Sequence, residues 1–370
     1  MTTHPTGRLP SLDLLRGIAV MGMILVNSAA AIHYDRQVAV PPWLLHAHWN
    51  GLTLADLVFP AFLMMMGVAV PMAAAGRGAR GIGPGQARRI GGRVIRLVLL
   101  GVVLSNLYWF ARFDSGAWRP FGVLQRIGLV YGACALLYLG CGRRVRVGLI
   151  VAILIGYALL LLVPTPDGVP VDLMLPGRNV AAWVDRWLLG SHRYVAGAAG
   201  YDPEGVLGTL PAIAHGLIGV EVGAYLLVAR GRAAALRLAL AGAAMIAGGL
   251  LAALVSPIVK DLWSSSFVLA TCGTTTLALG GLHALVDHDG WKPGRAATTA
   301  RDFGINAVAA YTLHMVTASV VGWDLFYAVV APLMLVLPTP VAAMAPVLLY
   351  MAAIGAAMAW LRRQGWIVKL

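Results

Sequence analysis

Stretches of about twenty apolar residues, separated by short polar connectors, follow one another along nearly the whole of this 370-residue chain. A bilayer hydrocarbon core about 30 Å thick is crossed by a helix of about 20 apolar residues. Within that core each backbone N–H and C=O must be satisfied inside the segment, so a lone apolar stretch crosses as an α-helix. The stretches fall near 11–32, 52–75, 90–110, 121–140, 146–164, 206–228, 233–256, 266–286, 304–321 and 340–361. A further apolar run, Phe326 to Leu337, stops at Pro338 and is too short to cross. The expected fold class is an all-α integral membrane protein with about ten transmembrane helices, both termini cytoplasmic, plus one short half-helix near 326–337. The sequence reads as a single transmembrane domain over 1–370, with a small periplasmic cap at 165–205 where the only long outer connection is rich in Pro, Gly and Trp.

Composition agrees. Charged residues make up 12% of the chain, hydrophobic residues 59%, and the mean hydropathy is +0.80. A soluble domain carries about 25% charged residues, so this chain has too little polar side chain to cover a water-facing surface. The formal net charge of +13 raises nucleic acid as a partner. That class is excluded because the basic residues sit in short clusters between apolar runs, not on one soluble face.

The same clusters set the orientation. With the N-terminus inside, the inner segments hold Arg8, the group Arg77, Arg80, Arg88, Arg89, Arg93 and Arg96, then Arg143, Arg144 and Arg146, Arg230, Arg232 and Arg237, Lys292, Arg295 and Arg301, and Arg362, Arg363 and Lys369. The outer segments hold Arg36, Arg112, Arg119, Arg178, Arg186, Arg193 and Lys260. The excess lies inside, as the positive-inside rule requires. Making 326–337 a full span would put Arg362 and Arg363 outside. A cleaved signal peptide is not expected at the N-terminus, because Asp13 and Arg16 interrupt the first apolar run. Cys134, Cys141 and Cys272 form neither a CxxC pair nor a zinc framework, and no metal site is expected.

Polar groups inside a membrane cost at least ~2.5–3.5 kcal/mol when charged, so each needs a partner or a task. Here they gather near the outer span ends: Asn27; His46, His48, Trp49 and Asn50, leading to Thr53 and Asp56; Gln125 and Arg126; Asp202 and Glu204; Lys260, Asp261 and Trp263. Asn306, Tyr311 and His314 lie in the ninth span. A ring of such groups at one level suggests a wet outer pocket. Structural readings stand beside this one. Thr53-Leu-Ala-Asp56 is a capping box. Asp202-Pro203-Glu204-Gly205 reads as a helix start. Asp13 and Arg16 are three residues apart and neutralise each other. Arg126 has no acid within four residues and calls for a cross-helix pair. His215 and His314 read as hydrogen-bonded core histidines. His46 has the best case for chemistry, since an imidazole is poised for proton transfer near neutral pH and Asp56 orients it if the intervening loop folds back.

Three stretches carry a family likeness: Ser11-Leu-Asp-Leu-Leu-Arg-Gly17, Met23-Ile-Leu-Val-Asn27, and His46-Ala-His-Trp-Asn-Gly-Leu-Thr-Leu-Ala-Asp-Leu-Val-Phe-Pro60. Gly122-Val-Leu-Gln-Arg-Ile127, Tyr201-Asp-Pro-Glu-Gly-Val-Leu-Gly-Thr209, Lys260-Asp-Leu-Trp263 and, more loosely, Gly304-Ile-Asn-Ala-Val-Ala-Ala-Tyr311 extend it. Together, in order along nearly the whole chain, they resemble heparan-α-glucosaminide N-acetyltransferase and its bacterial relatives. A counterpart of the large lumenal domain that precedes this core in the lysosomal members is not expected.

The resemblance implies transmembrane acetylation, with acetyl-CoA used from the cytosolic side and an amino sugar, glucosamine-like, or a glycan accepting the acetyl group on the far side. It implies His46 as the active-site histidine and Asn27 as an active-site asparagine, and it places the aspartate of the family's Ala-Asp-Leu-Val-Phe-Pro stretch at Asp56, the third catalytic candidate. His48 replaces a small polar residue of the lysosomal members, and the motif spacing favours His46. General-base action by His46, donation by Asn27 to the tetrahedral oxyanion and orientation by Asp56 suit attack of an amine on a thioester. Covalent acetylation of His46 is an open alternative. The CoA phosphates need cations, for which Arg16, the inner Arg88–Arg96 cluster and Arg126 are the candidates, and the neutral amide of Gln125, next to Arg126, is a further candidate for cofactor binding. Trp49, Asn50, Asp202, Glu204 and Lys260 are the candidates for the acceptor. No Walker-type or GxGxxG loop occurs, which argues against nucleotide hydrolysis. The expected partners are the lipid bilayer and the acceptor, and the expected location is the cell membrane, the inner one in a Gram-negative cell. A homodimer is an expectation from family likeness alone. The competing class is a transporter for N-acetylated amino sugars, whose usual signs are similar halves and broken helices. No similar halves are present, and the short 326–337 segment is the feature that keeps this class in view.

Overall fold

A computed structural model describes residues 9–78, 81–107, 118–229, 231–287, 291–320, 328 and 331–368. Its α-helices are α1 (Pro10–Arg36), α2 (Leu54–Ala75), α3 (Pro84–Ser105), α4 (Val123–Gly140), α5 (Arg143–Leu160), α6 (Val180–Leu189), α7 (Thr209–Val228), α8 (Gly231–Ala252), α9 (Ser265–Val286), α10 (Arg295–Ile305), α11 (Ala307–Val320) and α12 (Thr339–Arg363). The chain is an all-α integral membrane protein. Among the described residues, α1, α2, α4, α7, α8, α9 and α12 are each long and apolar enough to cross a bilayer. The expected ninth span, 304–321, begins at the end of α10 and runs along α11, two helices bent by 82° at Asn306. The third and fifth expected spans are helices α3 and α5, whose early turns hold Arg88, Arg89, Arg93 and Arg96, and Arg143, Arg144 and Arg146. Those arginines raise the charge of the helix ends above what a wholly apolar crossing carries. The expected half-helix near 326–337 lies partly outside the described residues, and its described part is a short 3₁₀ segment, Ala331–Leu335.

The described residues fall into two compact units. The smaller comprises residues 10–47, 52–62 and the described residues from 291 onward. Here α1 begins at Pro10 with Asp13 in its first turn, the favoured residues at a helix N-terminus. It ends at Gln37, whose φ of 55° terminates the helix in the left-handed region. Val20, Ile24, Phe303, Ala310, Val347, Tyr350 and Ile354 form the centre of this unit, where α1 packs with α10, α11 and α12. Two glycines set that packing. A Cβ on Gly17 would land on the carbonyl oxygen of Ala300, and one on Gly304 on that of Asp13. Each glycine lies in a stretch that carries the family likeness, and the backbone contact explains why a side chain does not fit there.

The larger unit comprises Leu9, residues 48–51 and the described residues of 63–287. In it α8 packs along α9, α3 along α4, and α7 against α4 and α5. Between α5 and α7, the stretch 165–205 folds as extended turns around the short helix α6, followed by a 3₁₀ turn, Gly190–His192. Asn179 caps α6 by accepting from the Ala182 N–H at 3.0 Å. Tyr157, Leu161, Leu173, Ala182 and Tyr201 bury a satellite core beneath it, together with Trp49, Val259 and Leu262.

Candidate active site

The loop from α1 to α2 is short and stiff. Pro41 and Pro42 start a single 3₁₀ turn, Pro42–Leu44, which buries Leu44. His46 follows, and the chain re-enters a helix at Leu54. The carboxylate of Asp56 closes the loop. Its Oδ2 accepts the N–H groups of Ala47 and Thr53, each at 3.0 Å, and the Thr53 hydroxyl at 3.0 Å. Its Oδ1 lies 2.7 Å from His46 Nδ1. The carboxylate half of the capping box and the histidine partner, alternatives from the sequence, are therefore both made, one on each oxygen, while the Asp56 N–H donates to the Thr53 backbone carbonyl at 3.2 Å. The Asp56 side chain is 1% exposed and that of His46 42%. An ionised carboxylate only accepts, so Nδ1 carries the hydrogen and the ring's basic lone pair is on Nε2. A buried carboxylate orienting a half-exposed imidazole in one tautomer is the arrangement a general base requires.

Asn27 sits on α1, half-buried, with Nδ2 3.5 Å from Nε2 of His314 on α11. The His314 Nδ1 is 3.1 Å from the Tyr350 hydroxyl of α12, and that hydroxyl also meets Thr317 Oγ1. His314 is thus a hydrogen-bonded buried histidine, as expected. Its link to Asn27 and the parts played by Thr317 and Tyr350 have no signal in the sequence. The two ends of the Asn27–His314 contact are 287 residues apart. Arg16 faces Asp13 at 3.6 Å, the neutralising pair that the spacing suggested. Asn306, in the expected ninth span, pairs with the C-terminal segment: its Nδ2 donates to the Trp366 carbonyl at 3.2 Å and its Oδ1 accepts from Val368 N–H at 2.9 Å.

The remaining candidates lie in the larger unit. Trp49 is buried, donates from Nε1 to the Leu173 carbonyl at 2.9 Å and packs edge-on against Tyr201. Asn50 forms an isolated antiparallel bridge with Val259, and Gly51 N–H donates to the Ile258 carbonyl at 2.9 Å. Asp202 and Glu204 do not start a helix; α7 begins at Thr209. Both acids instead receive Arg119, whose Nε donates to Asp202 Oδ2 at 2.8 Å and whose Nη2 reaches Glu204 Oε2 at 2.6 Å and Asp202 Oδ1. Two buried acids take up the Arg119 donors, and that binding outweighs their preference for a helix N-terminus. Although burial opposes its charge, Glu204 is held below the ordinary carboxylate range by Arg119, Arg126 and Lys260. Asp185, accepting the Asp202 and Val206 N–H groups at 3.1 and 3.0 Å, is pushed up to about 6 by burial.

Arg126 is wholly buried, with Nη2 donating to the Gly205 carbonyl at 3.0 Å and the guanidinium 5.1 Å from the Trp263 ring centroid. Its cross-helix partner is thus a backbone carbonyl and an aromatic face, beside the Glu204 carboxylate that it helps to ionise. Its Nε and Nη1 have no hydrogen-bond partner among the described residues. Gln125 is buried near the Ser105 hydroxyl and the Pro120 carbonyl, at 3.5 and 3.3 Å from its Nε2. The structure therefore joins His46 to Asp56, Asn27 to His314, and Asp202 and Glu204 to Arg119. Arg119 itself was read from the sequence only as an outer cation.

Comparison with known proteins bears out the likeness carried by the motifs. Residues 8–182 match the family described as heparan-alpha-glucosaminide N-acetyltransferase, catalytic. The chain is 29% identical to the heparan-alpha-glucosaminide N-acetyltransferase of Homo sapiens, over 84% of this chain and 53% of that protein. It is 28% identical to the Mus musculus protein of the same name, with the same two coverages of 84% and 53%. The chain thus spans about half the length of these curated relatives.

Proposed function

We propose that this chain, whose residues 8–182 match the catalytic family of the heparan-alpha-glucosaminide N-acetyltransferases, transfers an acetyl group from cytosolic acetyl-CoA to a glucosamine-like amino sugar on the periplasmic side of a bacterial inner membrane. One observation carries the reading: the His46 imidazole, within the matched region, is held at 2.7 Å by the buried carboxylate of Asp56. The chain acts as a single transmembrane domain, with the 165–205 cap on the periplasmic side.

In this reaction the acceptor nitrogen attacks the thioester carbonyl carbon. His46 Nε2 takes the proton that the amine loses, which contributes about 10²–10⁴ in rate. The Asn27 amide donates to the carbonyl oxygen as it becomes an oxyanion. The tetrahedral intermediate collapses, the C–S bond breaks, and CoA leaves as a thiolate that the imidazolium reprotonates. Asp56 keeps the imidazole in the tautomer that this sequence of steps needs. Arg16, Arg126 and Gln125 are the groups proposed toward CoA; two unsatisfied guanidinium nitrogens on Arg126 support its part. Trp49, Asn50, Asp202, Glu204 and Lys260 are proposed toward the acceptor, Asp202 and Glu204 acting with Arg119 as one charged unit.

Purified protein mixed with acetyl-CoA and glucosamine should release free CoA thiol and form N-acetylglucosamine. The broken helix α10–α11 favours the competing transporter reading, because discontinuous helices form binding sites in carriers. Uptake of N-acetylglucosamine into vesicles, with no CoA released for any amine tested, would replace the transferase by a carrier.

A further inference from the structure

The Asn27 amide can serve an oxyanion only if its nitrogen, not its oxygen, faces the reacting carbonyl. A carboxamide presents a donor on one side and an acceptor on the other, and the two flips differ little in shape. Something outside Asn27 must choose between them.

The buried chain of groups behind it does so. Thr317 Oγ1 donates to the Leu313 carbonyl at 2.6 Å, which leaves its oxygen as an acceptor. The Tyr350 hydroxyl has one hydrogen, and both the Thr317 oxygen and the His314 carbonyl, at 3.1 Å, stand ready to accept it. With its hydrogen so used, the Tyr350 oxygen faces His314 Nδ1 at 3.1 Å as an acceptor. His314 therefore carries its hydrogen on Nδ1, and Nε2 is a pure acceptor. Opposite Nε2, at 3.5 Å, is Asn27 Nδ2. A contact of this length tightens as charge develops at a reacting centre.

We propose that His314, fixed in its Nδ1–H tautomer by Tyr350 and Thr317, is a positioning residue that holds the Asn27 amide nitrogen toward the acyl oxygen. One N–H of Nδ2 goes to His314 and the second remains on the same nitrogen for the oxyanion. Losing His314 lets the amide turn its oxygen toward the developing negative charge, which repels it. The inference rests on the transferase reading, and it adds a residue from the C-terminal part of the chain, beyond the matched region 8–182.

The test compares wild type with His314→Ala, His314→Gln, Tyr350→Phe, Asn27→Ala and the double variant Asn27→Ala/His314→Ala, using CoA release in detergent. Gln keeps an acceptor oxygen near the Nε2 position. The expected result is a fall in kcat of roughly 10- to 100-fold for His314→Ala with KM for acetyl-CoA unchanged, most of it restored in His314→Gln, and a smaller fall for Tyr350→Phe. The double variant should be no slower than Asn27→Ala alone, because both changes remove one interaction. Wild-type kcat in His314→Ala, equal losses in His314→Gln and His314→Ala, or losses that multiply in the double variant would overturn the inference while leaving the transferase reading intact. If His314→Ala does not fold, His314→Gln carries the test: it must keep most of the wild-type kcat. A wild-type protein that releases no CoA overturns both.

Discussion

His46 and Asp56 are joined at 2.7 Å, Nδ1 to Oδ1, while the other oxygen of the same carboxylate caps the start of α2 through Thr53 and Ala47. One buried acid thus has two duties, holding the loop closed and holding the imidazole in place. Because the duties fall on different atoms, substitutions can separate them.

Replacing His46 by Ala should lower CoA release by about 10²–10⁴-fold, with elution in detergent and melting temperature near those of wild type, because the ring is 42% exposed and little packing is lost. In pre-steady-state mixing without acceptor, wild type should show no burst of CoA. A stoichiometric burst would mean that the acetyl group rests on the enzyme.

At Asp56, Asn keeps one acceptor oxygen but removes the charge that fixes the imidazole tautomer. CoA release should drop by roughly 10²–10⁴-fold. Thr53→Ala removes a hydroxyl whose single hydrogen is shared between the Leu45 carbonyl at 2.7 Å and Asp56 Oδ2 at 3.0 Å. It should cost about 1 kcal/mol of stability, as for a lost side-chain hydrogen bond, and leave turnover within a few-fold of wild type. Thermal unfolding and the CoA assay, run on both variants, separate the two duties. Equal loss of turnover in both would tie catalysis to loop closure alone.

Arg119→Ala leaves buried Asp202 and Glu204 without the guanidinium that hydrogen-bonds to both, although Arg126 and Lys260 still act on Glu204. Breaking a buried pair from one side costs about 3–5 kcal/mol. The melting temperature should fall by many degrees, and Arg119→Lys should recover only part, since a single ammonium does not reproduce the guanidinium fork. A melting point unchanged in Arg119→Ala would show that the acids are solvated.

The pH dependence of stability should carry an Asp185 component. Its folded value, about 6, lies above the ordinary 3.8, so the fold binds this proton more tightly than the unfolded chain does. The stabilisation is complete below about 3.8 and is lost as pH rises through about 6. Between pH 5 and 7.5, wild type should lose about 1 kcal/mol relative to Asp185→Asn. Glu204, held low, loses its contribution only well below 4.5 and stays silent in this window. A difference between the two proteins that does not change with pH would remove the Asp185 assignment.

Gly17→Val should unfold or loosen the contact of α1 with α10, because the added carbons meet the Ala300 carbonyl rather than a movable side chain. Overpacking of this kind costs typically about 1–3 kcal/mol, and more where backbone must move. Gly91→Val is the control, since a Cβ there meets nothing within 4 Å. Equal melting points for the two variants would contradict the close packing.

What the sequence determined by itself is local. Apolar runs marked where helices form, because the cost of an unsatisfied backbone in lipid acts on each segment separately. The capping box at Thr53 and Asp56 and the pair Asp13–Arg16 were legible because their partners are three residues apart. Even His46 with Asp56 could be suspected, being ten residues apart across one loop. The tertiary structure decided what depends on the rotation and depth of whole helices. It gave Asn27 its partner 287 residues away, turned Asp202 and Glu204 from a supposed helix start into the acceptors of Arg119, and set Asn306 against the chain end. The reason is that a polar side chain in a helix bundle takes whichever donor or acceptor packing brings level with it. That level is fixed by contacts such as Gly17 on Ala300, between residues far apart in the chain.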